Sequence, residues 1–268
     1  MKIFAFYIPF GYSYISRFKS LYKFVSWIVI YMIPTLYFFL CQSSFMDVGN
    51  YVSYVWALLL IYTLYEVGYI QNDFETIKKE SNPTVRFSKE MLEYYNTHKV
   101  RIYLFRLFLG VLFSYLLYCS FDGEVVYFLI SVWSLLLIYQ LYNRIRSRLN
   151  LYLHFGLVLI RYCSYFLLFI PHVNGWLLGV AIIGFPVINF LERASEQRFH
   201  IEKMKKLIPN RNKIPKFRVQ YYFIMSICSI FFILNGISAY CFIPIWGYFC
   251  FRFIILRSEK FKDRVIYG

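Results

Sequence analysis

Eight runs of about twenty mostly apolar residues, near 23–41, 51–71, 101–119, 124–142, 150–170, 174–191, 220–236 and 238–256, occupy most of the chain. A bilayer core about 30 Å thick needs about 20 such residues per helix. The runs are continuous rather than alternating, and in lipid only helices or closed barrels satisfy every backbone group. The pattern therefore predicts an all-α polytopic integral membrane bundle of about eight transmembrane helices, one helical domain over 1–268. With 16% charged residues against roughly 25% in ordinary soluble domains, a soluble globular enzyme is excluded. The 30 Phe, 27 Tyr and 5 Trp likewise exclude a solvated, disordered chain.

The balance of 29 Lys+Arg against 14 Asp+Glu gives +15, which in a soluble protein would suggest nucleic acid. Here the charges lie between the apolar runs. Segments after the first, third, fifth and seventh runs (QSSFMDVGN, SFDG, PHV and GI) contain no Lys or Arg. The opposite side carries Lys2, Arg17, Lys19 and Lys23, the segments 78–101 and 193–218, the trio Arg144, Arg146 and Arg148, and the end of the chain. Lys and Arg are retained on the cytoplasmic side. Both termini are therefore expected in the cytoplasm, with membrane lipids rather than nucleic acid as surroundings and a bacterial inner membrane as the compartment. The first 22 residues are aromatic and basic, without a long aliphatic core or a small-residue cleavage site. They read as an amphipathic approach to the first span rather than a cleavable signal. Six cysteines form no CxxC pair and fall in or beside apolar runs, so they read as small buried hydrophobes.

Room for chemistry remains in two cytoplasmic loops, 72–100 after the second span and 192–218 after the sixth. If the second span stays helical past the membrane surface, Glu66, Asp73 and Glu80 recur every seven residues and Asn72, Thr76 and Glu80 every four, on one broad face. Stacked oxygen ligands suit a hard cation such as Mg²⁺, which is held by one or two carboxylates together with substrate phosphates. Glu66 lies inside an apolar run, where an ionisable group must face the bundle interior or a wet cavity. Ligand binding and a pair with Arg106 or Arg161 are both open to it. At the end of the sixth span Asn189, Glu192, Glu196 and Lys203 share a helical face, with His200 one turn beyond Glu196. Arg161, about 16 Å below the surface at 1.5 Å per residue, is a candidate for an anionic headgroup or for a structural pair with Glu66. Tyr62, Tyr65 and Tyr69 share the helix of the first acidic motif and are read as lining its pocket.

Asn72-Asp73, Glu80 and then Asn82-Pro83-Thr84-Val85-Arg86 resemble the first acidic motif and following Pro/Arg segment of the UbiA superfamily of intramembrane prenyltransferases, and Glu192-x-x-Ser195-Glu196 resembles its second. The resemblance implies Mg²⁺ on the diphosphate of an isoprenoid donor, contacted by Asn72, Asp73, Glu80, Glu192 and Glu196, with Arg86 on phosphate and the lipid tail in a lateral opening of the bundle. Asp73, Glu192 and Glu196 are then the catalytic acids, as metal holders rather than nucleophiles. Glu66, Tyr69, Arg161 and Lys203 join Asn72 and Arg86 as substrate-binding candidates. The chain departs from the pattern at Thr76, in place of an Asp, at Ser195, in place of a Gly, and in using Glu for three acids. Eight spans stand where nine are usual.

The expected chemistry is prenyl transfer to a small or lipid acceptor. Pro83-Thr84-Val85-Arg86 is also similar to a segment of the superfamily's decaprenyl-phosphate phosphoribosyltransferases, which makes transfer to a polyprenyl phosphate the alternative. Two rivals come from other classes. In a transporter or flippase, Glu66, Arg106 and Arg161 would form a charge pathway near helices broken at Pro171 or Pro186. In a scaffold, Thr76 would mark a lost activity.

Overall fold

The computed structural model describes residues 2–18, 20–79, 85–121, 125–145 and 147–258. All eight apolar runs are helices long and apolar enough to cross a membrane: Leu21–Gln42, Val48–Lys78, Lys89–Ser120, Val126–Arg144, Leu149–Phe169, Gly175–Ala194, Ile214–Leu234 and Ala239–Arg257. No strand occurs among the described residues. The protein is an integral, multi-pass, all-α membrane protein. The third helix begins at Lys89, well before the apolar run near 101, because hydropathy marks only the length in hydrocarbon while the helix continues into the aqueous phase. Polar side chains set the starts. The side chain of Asp47 accepts the Gly49 N–H, Ser88 that of Met91, and Asn174 those of Trp176 and Leu177.

The chain divides into two compact units. The first comprises 1–19, 39–146 and 164–170, and is built around the second span. The apolar window of that helix is 72% buried, against 28% in the third and fourth spans that pack on it. Gly68 permits this closeness, since a Cβ there would meet the ring of Tyr139 from the fourth span at 2.1 Å. On the third span Leu104, Phe108, Val111 and Tyr115 are exposed, a face that water would penalise and lipid accepts.

The segment before the first span is no surface-lying approach helix, as the sequence suggested. It folds into the first unit as a 3₁₀ turn, Lys2–Phe6, and a short helix, Gly11–Ser16. Phe6 and Tyr12 are fully buried against Ile70, Phe74, Met91, Tyr95 and Ile102. Burying its aromatic rings in the bundle stabilises the segment more than an interfacial position would.

The second unit comprises 20–38, 147–163 and 171–268. Within it the seventh and eighth spans pack together and the sixth lies against the fifth. Two wide π-turns interrupt its helices, at Ile28–Met32 and at Ile183–Val187 around Pro186. Proline has no N–H to donate, and tyrosines answer carbonyls of the second turn: Tyr221 donates to Ile183 at 2.7 Å and Tyr222 to Gly184 at 2.8 Å. Pro171 lies in the turn that follows the fifth span.

Candidate functional site

In the first unit the second span carries Glu66 and Asp73 on one face, as their spacing predicts, and both turn to the N-terminal segment. Glu66 is fully buried and forms an ion pair with Arg106 at 2.8 Å, while its other oxygen accepts the Ser13 N–H at 2.5 Å. Arg106 is equally buried and donates to the carbonyls of Phe6, Ala5 and Ile8 at 2.7, 3.1 and 3.2 Å. Of the two arginines that the sequence left open to Glu66, the structure brings Arg106 to it. Glu66 takes Arg106, and the pair clamps residues 5–13 to the bundle.

Two turns further along, Asp73 collects four donors. Tyr12 reaches Oδ2 at 2.9 Å, and Arg17, Asn72 and Arg86 reach Oδ1 at 3.0, 3.2 and 3.3 Å. The structure thus brings together three residues the motif singled out, Asn72, Asp73 and Arg86. It adds two from the N-terminal segment, Tyr12 and Arg17. The Tyr69 ring lies 4.3 Å from the Arg17 guanidinium, a cation–π contact that fixes the cation's plane. Burial works against the charge of Arg17, but the Asp73 carboxylate, together with the Tyr69 and Tyr12 side chains, holds the pKa above the ordinary arginine value. Burial, and then the charge of Asp73, push the Tyr12 phenol well above its usual range, so it stays a donor. Thr76 is buried, and Glu80 lies outside the described residues.

Glu75, which the motif reading passed over, accepts the Tyr95 hydroxyl at 2.6 Å and pairs with Lys99 at 2.5 Å. It borders a cavity of about 280 Å³ that Gln71, Tyr103, Tyr139 and Gln140 also line.

In the second unit the sixth helix ends at Ala194, where the Ser195 hydroxyl bonds the Glu192 carbonyl at 2.7 Å. Phe199 then docks on Leu151 and Ala194, and His200 takes a left-handed conformation with φ 51°. The chain restarts as a separate helix, Glu202–Leu207. Lys203 therefore does not extend the face of Asn189, Glu192 and Glu196, as a continuous helix would require, and its side chain is exposed. A cavity of about 680 Å³ opens here, lined by His154, Asn189, Glu192, Arg193, Glu196 and Arg198 among others. Glu192 is gripped by Arg218 from the seventh span through two parallel bonds of 2.6 Å. Glu196 pairs with Arg198 at 2.8 Å and lies 3.8 Å from Arg193. Arg161 sits with its guanidinium 5.3 Å from the Tyr31 ring, and its carbonyl accepts the Tyr31 hydroxyl at 2.8 Å.

Mg²⁺ held by one or two carboxylates together with substrate phosphates needs carboxylate oxygens left open to it. Among the described residues no group of three or more His, Cys, Asp or Glu side chains is placed to hold a metal ion. Asp73 is closed to solvent and engaged at both oxygens, Glu192 is held bidentately, and Glu196 is paired. The described acids do not fit a carboxylate-held Mg²⁺ in this arrangement. Each positions arginines instead.

The missed partners Arg17 and Arg218 share one signal, a basic residue just before an apolar run on the Lys/Arg-rich side. No family model, curated protein or solved structure matches the chain.

Proposed function

We propose that the protein is a UbiA-like intramembrane transferase that moves an isoprenoid group from its diphosphate to a small or lipid acceptor, with both termini and the acid-bearing ends of the second and sixth spans in the cytoplasm. The observation that carries this reading is the convergence of Asn72 and Arg86 on Asp73, since these residues bear the resemblance and Arg86 lies 13 residues beyond Asp73 in the chain. In prenyl transfer the bond between the allylic carbon and the diphosphate oxygen breaks, and its electron pair leaves with the diphosphate. The acceptor's nucleophilic atom makes the new bond and loses its proton. Arg86, held by Asp73, places guanidinium donors where the leaving charge grows, which lowers the barrier without reorganisation. We assign no protein-held Mg²⁺ to this step.

The contact between Arg86 and Asp73 also favours a second reading, transfer from a sugar diphosphate to a polyprenyl phosphate, because Arg86 lies in the Pro-Thr-Val-Arg segment. Membranes containing the protein, incubated with Mg²⁺ and either an isoprenoid diphosphate plus a neutral or aromatic acceptor or phosphoribosyl diphosphate plus polyprenyl phosphate, separate the two by mass spectrometry. Product from the first pair is expected. Product from the second pair alone would replace prenyl transfer with sugar transfer, and product from neither would remove the transferase reading.

A further inference from the structure

Arg17 and Arg86 approach the same oxygen of Asp73 from different parts of the chain. One carboxylate between two guanidinium groups leaves one positive charge over. The carboxylate has no exposed surface, whereas the arginine side chains are 21% and 30% exposed. An incoming solute therefore meets the cations and not the acid. Each guanidinium has five N–H donors; Asp73 takes one from each, and the Nη1 of Arg17 is buried without a hydrogen-bond acceptor. Two planar forks with donors to spare, held in place by a hidden carboxylate and by the Tyr69 ring, match a phosphate or diphosphate group.

Arg17 gets there by a costly route. A fully buried ion pair, Arg106 with Glu66, is spent on the main chain of residues 5–13, although such a pair is expensive to desolvate. Phe6 and Tyr12 are buried beside it. The helix Gly11–Ser16 then delivers Tyr12 to one oxygen of Asp73 and Arg17 to the other.

We propose that residues 2–17 form a docked arm and that Arg17, at its end, is a second phosphate-binding arginine, so that the site holds its anion only with the arm in place. This rests on the phosphate-handling reading above and extends it to a segment before the first span.

The test uses the full-length protein in detergent with inorganic pyrophosphate as the probe, read as the shift of the thermal unfolding midpoint. Wild type and the exposed-site control Lys206→Gln should both be stabilised. Arg17→Gln should bind pyrophosphate roughly tenfold or more weakly, the loss expected for a charged hydrogen bond. Arg17→Lys, which keeps a cation for Asp73, should fold with a ligand-free midpoint close to wild type and recover part of the shift. Equal shifts in wild type and Arg17→Gln, or no shift in wild type, would overturn the proposal. If the Arg17-dependent shift is present and no donor pair yields product, the arm and its anion site stand and the transferase reading falls.

Discussion

Arg86 donates to an oxygen of Asp73 that solvent does not reach, while part of its own side chain stays open. Replacing it with Gln should remove a charge-assisted hydrogen bond to the substrate, about 1.5–3 kcal/mol, or at least a tenfold loss in kcat/KM for product formation. Arg86→Lys should recover only part, because an ammonium restores the charge without the planar fork. Wild-type kinetics in Arg86→Gln would take this residue out of the site. Tyr12 gives a pH prediction. Its folded pKa is raised by burial and by Asp73, so the fold favours the neutral phenol. That contribution is fully present below the unfolded value of about 10 and is lost as pH rises from there towards the folded pKa. In Tyr12→Phe the midpoint should fall less steeply with pH above about 10 than in wild type, and an unchanged slope would contradict it. At this scale Asn72, Asp73 and Arg86 were legible because the motif names them together. Arg17 was not, because its partner lies 56 residues away and is chosen by how the arm docks.

Element by element, the eight spans were legible because hydropathy over twenty residues is a strong signal, and their aqueous extensions were not. The break after Ala194 was hidden for a different reason. Between Glu192 and Lys203 there is neither Pro nor Gly, and helical spacing alone carried Lys203 onto the face of Glu196. What ends the helix is Phe199 turning back onto Leu151 and Ala194, a tertiary contact without a local marker. The arm was misread for the same reason: its aromatic and basic composition suits an interface, and only Arg106, deep in the third span, reveals that its carbonyls point inward. Arg106→Met should leave Glu66 buried without its cation and the arm without three hydrogen bonds, a loss of about 3–5 kcal/mol. The variant should unfold at a lower temperature, and trypsin should cut at Arg17 in native protein. Adding Glu66→Leu should recover stability, since the orphaned carboxylate is gone, but not the arm's protection. A protected arm in Arg106→Met would show that the aromatic contacts alone hold it.

For the whole molecule, the arrangement of charge in sequence decides which face the sites open on. Asp73 ends the second span and Glu192 the sixth, the side to which the segments 78–101 and 193–218 belong, whereas the loop after the first span has no Lys or Arg. Moving the basic segments across would carry many cations through hydrocarbon, each costing about 2.5–3.5 kcal/mol at the bilayer centre even on the mildest scale. That cost is the ground for the proposed orientation, with these segments in the cytoplasm. In a background with the six native cysteines replaced, Asn82→Cys and Asn210→Cys should resist a membrane-impermeant maleimide added to intact cells. Ser44→Cys, exposed after the first span, should react. All three should react once the membrane is opened, which separates burial from sidedness. Labelling at 82 or 210 in intact cells would turn the arginine sites outward. A diphosphate made in the cytoplasm would then have to cross the bilayer before meeting Arg17 and Arg86, and the transferase reading would fail on access rather than on chemistry.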